Sequence, residues 1–323
     1  MSKDDFVILG RAIKKGESAT LDLEVAKLHT RNSIHVPIII ERSKLDGPTL
    51  LLLGGVHGDE INGVAIVREI IEKKYHKPKR GTIICIPVFN VFGFLNQSRY
   101  FPDGRDLNRM FPGSAKGSLA SQFAYHFRKE IAPLVDYVLD FHTGGSGREN
   151  FPNVRCVFEE DKALDLAKVF GAPFTVNSQY INKSIRDMFR KMGKTILLFE
   201  GGKSKCLDNY VINCGVEGAL NVMKHLGIQN GDVKLNNDSI LIQKSKWIRA
   251  PYSGMLHLRI KNGSWVTKKT VMAEIRDPYG EFKRFITAPE DCYVFGANTA
   301  PIINKGDAVF HVSTILMKEE ETF

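Results

Sequence analysis

The 323-residue sequence predicts an α/β protein, a mixed central sheet flanked by helices, with a small C-terminal all-β domain. Three observations carry that prediction. Short, nearly continuous apolar runs recur, each closed by a glycine, polar or turn cluster. Segments with helical periodicity alternate with them. Near residues 228–240 the texture then changes to polar, Gly/Asn-rich sequence followed by short strand-like pieces. Apolar runs without polar alternation imply strands buried on both faces, and strand alternating with helix implies that ligands bind beyond the carboxyl ends of the strands.

Taken in order, residues 34–41 (IHVPIIIE) and 49–55 (TLLLLGG) read as strands. Residues 61–75 (INGVAIVREIIEKKY) set Val64, Val67, Ile70 and Ile71 on one helical face. Residues 82–90 (TIICIPVFN) read as a strand, 118–131 as a helix and 135–142 (VDYVLDFH) as a strand. Helices follow at 162–170 and 181–192, then a strand at 194–202 (KTILLFEGG) and a helix at 210–226. The stretch IQNGDVKLNNDS reads as a linker. Turn signals at Pro251-Tyr252-Ser253-Gly254, Lys261-Asn262-Gly263, Asp277-Pro278-Tyr279-Gly280 and Asn304-Lys305-Gly306-Asp307 have the spacing of a small barrel or sandwich. The expected division is therefore residues 1–235 and 236–323.

Composition narrows the function. With 43% hydrophobic and 25% charged residues the chain is ordinary globular protein, neither disordered nor fibrous. The net charge of +9 is spread thinly and aromatic residues do not interleave with the basic ones. That suits a solvated surface or a site for small anions better than a nucleic-acid groove. No apolar run approaches the ~18 residues of a membrane helix. MSKDDFVILG lacks the basic-then-apolar order of a signal peptide, and the five cysteines are scattered without a C-x-x-C pair. The expectation is a cytoplasmic protein acting on a small carboxylate, with no nucleic-acid or membrane partner.

Four segments could carry chemistry. In Gly54-Gly55-Val56-His57-Gly58-Asp59-Glu60, His57 and Glu60 stand three apart in a strand-to-helix turn, where both could meet one cation; the bland alternative is an acidic cap for the helix that follows. His142 closes the VDYVLDFH strand and could supply a third ligand, leaving a fourth position for water. Glu200 closes TILLFE ahead of two glycines, the setting of a general base or of a solvated strand end. The loop from Ser98 to Gly113 gathers Arg99, Arg105, Asp106, Asn108 and Arg109 among Pro, Gly and aromatic residues, a composition suited to gripping carboxylate.

GGVHGDE, DLNR, LDFHTG and FEGG, in this order and spacing, resemble the succinylglutamate desuccinylase/aspartoacylase family, a branch of the zinc carboxypeptidase superfamily. The resemblance extends over the whole chain, because many bacterial members also carry a small C-terminal β domain. It implies a zinc-carboxypeptidase-like fold and one Zn²⁺ held by His57, Glu60 and His142. It further implies Glu200 as general base and acid, and hydrolysis of the amide bond of an N-acyl amino acid or related carboxylate amide by a metal-activated water. Asn108 and Arg109 would hold the substrate carboxylate and Arg99 the oxyanion, with Arg105 competing nearby. Asp106 would orient a zinc histidine, His57. The C-terminal region is similar to biotinyl/lipoyl barrel sandwiches, but the turn at Asp277–Gly280 has no lysine at its tip, so a structural role is expected.

Three rival readings stand beside this one. A carboxypeptidase or esterase on the same fold fits the motif spacing less well. A 2-His-1-carboxylate iron oxygenase would not need the hydrolytic base. A non-catalytic binding protein would not need the complete set of ligands, base and Arg/Asn clamp.

Overall fold

The computed structural model describes residues 6–27, 29–235 and 239–317. The first five residues of the MSKDDFVILG stretch and residues 236–238 of the expected linker lie outside the described residues. The chain opens with β1 (Phe6–Ile8), β2 (Arg11–Ile13), β3 (Ser18–Lys27), β4 (Ser33–Arg42) and β5 (Thr49–Gly54). Then come α1 (Ile61–Glu72), β6 (Thr82–Ile86), α2 (Val91–Leu95), α3 (Leu119–Glu130), β7 (Tyr137–Gly144) and β8 (Arg148–Cys156). α4 (Asp161–Phe170), β9 (Phe174–Asn177), α5 (Ile185–Lys191), β10 (Thr195–Lys203) and α6 (Asn209–His225) complete the helical part. The remainder is strand: β11 (Ile240–Arg249), β12 (Gly254–Leu258), β13 (Trp265–Val266), β14 (Val271–Arg276), β15 (Lys283–Thr287), β16 (Cys292–Asn298), β17 (Ile302–Ile303) and β18 (Ala308–Leu316).

A twelve-stranded mixed sheet runs β13-β16-β18-β11-β9-β8-β10-β7-β5-β6-β4-β3. Its centre is parallel: β6 and β7 flank β5, and β10 pairs with β7. Leu50 and Leu52 face a core built with α1, α4 and α6, whereas Leu51 and Leu53 face one built with α3 and α5. All six residues of β5 are buried, which is why TLLLLG needs no polar alternation. The carboxyl ends of β5, β7 and β10 lie side by side, so the turns that follow them open at one edge of the sheet.

The expected helix at 61–75 is shorter, ending at Glu72, and its buried stripe is rotated. Ile66, Val67 and Ile70 are buried while Val64 and Ile71 are only partly so. Gly63 explains the rotation: a Cβ there would overlap the Phe141 carbonyl oxygen, so α1 rests on β7 with almost no separation.

Strands β3, β8 and β9 were not evident in the sequence. β3 alternates buried and exposed residues at a sheet edge, and β8 contains Pro152 and two asparagines. Pro152 falls where the β8–β10 ladder slips, between the pairs Glu200–Asn153 and Gly202–Asn150, so its missing N–H costs no ladder bond. Beyond residue 239 the strands both extend the main sheet and build a second one. β11 pairs with β9 and β16 pairs with β8, while β15-β14-β12-β17 form a separate four-stranded sheet. One apolar core, including Met272, Ile275, Val294 and Phe310, fills the space between. Among the described residues all five cysteines are free.

Candidate active site

The turn after β5 carries His57 and Glu60, and the end of β7 carries His142. Because β5 and β7 are adjacent parallel strands, the three side chains converge. Glu60 occupies the N-cap position of α1, yet its side chain makes no cap hydrogen bond. It turns inward: Oε1 lies 2.7 Å from His57 Nδ1 and Oε2 lies 2.8 Å from His142 Nδ1. The two Nδ1 atoms are 3.2 Å apart, and all three residues are at most 3% exposed. The Thr143 N–H donates to Glu60 Oε2 at 3.1 Å.

The outer ring nitrogens also meet carboxylates. His57 Nε2 is 3.2 Å from Asp106 Oδ1, and His142 Nε2 is 3.0 Å from Asp140 Oδ2. Burial opposes a charge on either histidine, but the surrounding carboxylates outweigh it. Glu60 and Asp106 raise the pKa of His57, and Asp140 with Glu60 raises that of His142 well above the ordinary value. Burial likewise opposes the charge on Glu60, whose pKa is nonetheless held far below the carboxylate range by the two histidines. The pocket thus favours positive charge at the point where the inner nitrogens and the carboxylate meet. The candidate ligand atoms lie within 4.8 Å of one another. Two imidazoles and a carboxylate, with the far nitrogens oriented by acids, are a donor set suited to a divalent ion such as zinc.

The loop between α2 and α3 supplies the next layer. Asp106 caps a single 3₁₀ turn, Leu107–Arg109, accepting from the Asn108 N–H at 2.8 Å while its other oxygen takes Arg99 Nη2 at 2.9 Å. Arg99 Nη1 also donates to Glu60 Oε1 at 3.2 Å. Asn108 Oδ1 accepts from the Ile185 N–H at 2.9 Å, which ties the turn to the start of α5 and leaves the amide NH₂ of Asn108 for a ligand. Arg99, Asn108 and Arg109 all line a cavity of about 450 Å³ that also contains His57, Glu60 and His142. Arg105 is not brought there. Its guanidinium is half-exposed and lies 3.5 Å from Asp103, because the turn at Asp103–Gly104 directs it to solvent.

Glu200 lines the same cavity from the end of β10. The next two residues are glycines; Gly202 has φ +74°, the left-handed region, and this turn accompanies the slip in the β10 ladder. Asn150 Nδ2, on the neighbouring β8, donates to Glu200 Oε2 at 2.8 Å.

Sequence reasoning missed several residues of this site. Asp140 had a readable signal, an acid two positions before His142 on the same face of an apolar strand. Asn150, Arg155 and Arg186 had none, since β8 was not recognised and α5 was read only for its apolar stripe. Trp247, on β11, enters the cavity from the C-terminal region. Its indole stacks on the His311 ring at 4.4 Å and 12°, with the Arg148 guanidinium 5.8 Å from its centre.

Comparisons with known proteins agree with this architecture. Residues 46–226 match a family model described as the succinylglutamate desuccinylase/aspartoacylase catalytic domain. Over 259 residues the chain is 27% identical to the N-alpha-acetyl-L-2,4-diaminobutyric acid deacetylase of Halomonas elongata, spanning 76% of this chain and 75% of that one. The product-bound structure of the ectoine utilization protein EutE (DoeB) from Ruegeria pomeroyi superposes with a TM-score of 0.83 at 25% identity, covering 96% of this chain and 98% of that one. A succinylglutamate desuccinylase/aspartoacylase structure from Rhodobacter sphaeroides gives 0.81 at 22% identity, with 93% and 96% covered, a likeness of fold.

Proposed function

The chain belongs to the succinylglutamate desuccinylase/aspartoacylase family of deacylases, and we propose that it is a zinc-dependent hydrolase cleaving the amide bond of an N-acyl amino acid. The observation that carries this reading is the convergence of His57, Glu60 and His142 in a cavity that also holds Glu200, Asn108 and Arg109. Held by those three side chains, a zinc ion would polarise the acyl carbonyl and bring the pKa of its water from 15.7 to about 7.

The protein's own groups do the rest. Arg109 and the free amide of Asn108 hold the substrate by a carboxylate, which positions the acyl group over the three ligands. Glu200 takes the proton of the attacking water and returns it to the leaving amine, so one carboxylate serves as base and then acid. Asn150 keeps that carboxylate aimed into the cavity. Arg99, anchored by Asp106, presents Nη1 beside Glu60 as a donor for the developing oxyanion. In this reading residues 236–323 act as a structural unit that shapes the cavity through Trp247. The scattered, unpaired cysteines support a cytoplasmic setting.

The test is metal removal with a substrate panel. Chelator-treated protein, assayed for free-amine release from N-acetyl and N-succinyl amino acids, is expected to be inactive and to recover with one equivalent of Zn²⁺. Turnover that survives chelation, or release from peptides and esters but not from N-acyl amino acids, would overturn the proposal.

A further inference from the structure

The C-terminal strands do more than extend the sheet. β8 pairs with β16, β16 with β18, β18 with β11 and β11 with β9, and β9 returns to β8, so five strands close a ring. Directly opposed residues of antiparallel strands carry their side chains on one face. Three such pairs, Asn150–Gly296, Gly296–His311 and His311–Trp247, make a single cross-strand row from β8 to β11. One end of the row is Trp247, in the cavity wall; the other is Asn150, whose Nδ2 donates to Glu200 Oε2 at 2.8 Å. The start of β8 is held from the same side. The Thr299 N–H and Oγ1 both donate to the Gly147 carbonyl at 2.8 Å, and Asn262 Nδ2 donates to the Glu149 carbonyl at 3.1 Å.

The middle of this row has no side chain. Gly296 is buried inside β16, and its φ lies outside the left-handed region, so backbone conformation does not demand glycine there. A glycine inside a strand weakens it and marks a close approach. Here the approach is visible: a Cβ at Gly296 would lie 3.0 Å from His311 Cβ, 3.3 Å from Asn150 Oδ1 and 3.7 Å from Trp247 Cη2. His311 cannot give way. Its ring is stacked on Trp247 at 4.4 Å, lies 4.3 Å from the Phe295 ring and sets Nε2 3.0 Å from Ser245 Oγ. The softer neighbour is the Asn150 amide, which turns about one torsion. Gly296 also follows a slip in the β16–β18 ladder, an irregularity of the kind that re-aims side chains beside active sites.

We propose that Gly296 is a positioning residue for hydrolysis: the space left by its missing side chain lets the Asn150 amide lie where Nδ2 meets Glu200, so the C-terminal strands set the aim of the base. The inference rests on the hydrolase reading above and adds to it a residue about 96 positions beyond Glu200 in the chain. A methyl at position 296 presses on the amide oxygen, the amide turns, and the hydrogen bond to Glu200 is misaligned. The glycine thus gives up strand stability in exchange for catalytic geometry.

The experiment is a double-mutant cycle on the zinc-loaded protein, read as free-amine release from the best substrate among N-acetyl and N-succinyl amino acids. Gly296→Ala is expected to lose about 3- to 10-fold in kcat with KM nearly unchanged, and the bulkier Gly296→Val to approach the loss of Asn150→Ala. In an Asn150→Ala background the same changes at 296 should alter kcat by no more than about twofold, because the amide through which they act is gone. Equal losses in both backgrounds, or a raised KM at constant kcat, overturn the proposal. A second arm does not depend on turnover: crystal structures of wild type and Gly296→Val. If wild type releases no amine the hydrolase reading falls, yet the structures still decide the linkage. An Asn150–Glu200 contact stretched beyond hydrogen-bonding distance in the variant retains it, and an unchanged contact overturns it. Should the 296 variants fail to fold, recovery of folding with Asn150→Ala shows that the added carbon meets the amide and supports the proposal. Failure in both backgrounds makes His311 the obstacle and ends it.

Discussion

Glu60 shows how one side chain can organise a whole site. Its two oxygens face two histidines, and each histidine is braced from behind by a second acid, Asp106 or Asp140. Glu200 accepts from one neutral donor, Asn150, a contact that would orient the proposed base without neutralising it. These two residues give a paired expectation. Glu200→Gln should retain bound zinc and lose about 10²–10⁴-fold in kcat, as expected when a positioned general base is removed. Asn150→Ala should lose about 10- to 10²-fold in kcat with KM nearly unchanged, since a hydrogen bond to a charged group contributes about 1.5–3 kcal/mol. Steady-state kinetics with metal quantification checks both. If Asn150→Ala instead raises KM at constant kcat, Asn150 belongs to substrate binding rather than to positioning the base.

Among the elements, the packing of α1 on β7 decides where Glu60 stands. The helix is anchored by Gly63 against the Phe141 backbone, and Gly54 closes the same contact, since a Cβ there would lie 2.7 Å from the Gly63 carbonyl oxygen. Two effects oppose each other in Gly63→Ala. Alanine favours a helix interior by about 1 kcal/mol over glycine. Overpacking against rigid backbone costs about 1–3 kcal/mol, and here the obstacle is a carbonyl oxygen with no freedom to move. The clash should win. Urea denaturation is expected to show a net loss of stability, and zinc competition a weaker site, because Glu60 is the N-cap residue of α1. Unchanged or raised stability would mean that the helix can lift from the sheet without penalty.

For the whole molecule, the C-terminal strands bring a titratable group into the fold. His311 lies between Trp247 and Phe295, its Nε2 3.0 Å from Ser245 Oγ. Burial, then the charge of Arg155, pushes its pKa down to about 3, from about 6.5 in an unfolded chain. Between those values the unfolded chain binds a proton that the folded one refuses. The stability contribution is therefore complete above pH 6.5 and is lost progressively as pH falls toward 3. Glu274 adds a lower window. Hydrogen bonds from Arg259, Lys283 and Arg276 bring its pKa to about 2, so its contribution is present above the unfolded carboxyl pKa and disappears from about pH 4.5 downward. From pH 7 to pH 5 His311 thus pulls the melting temperature down while His57 and His142, whose pKa values are raised, act in the opposite sense, and His311→Gln should lift the low-pH end of the curve relative to wild type. Parallel wild-type and variant curves between pH 7 and 5 would remove His311 from this role.

Much of this protein was readable from its residues in order. Runs such as TLLLLG announce strands covered on both faces because every position is apolar, and GGVHGDE, DLNR, LDFHTG and FEGG each fall at a strand end or in a loop, where a parallel sheet binds ligands. The bracing role of Asp140 was legible in principle, two residues from His142. Arg105, by contrast, sits in the same loop as Arg99 and Arg109, yet a turn of a few residues sends it to solvent, an outcome that depends on backbone direction and leaves no trace in composition. Asn150, Arg155, Arg186 and Trp247 reach the cavity from β8, α5 and β11, elements far apart in sequence that meet only because the sheet continues through β9 into the C-terminal strands. Local pattern determines which segments are strands and which residues can bind a cation. Which side chains share one cavity depends on long-range packing, because residues on elements far apart in sequence become neighbours only by what the fold sets beside them.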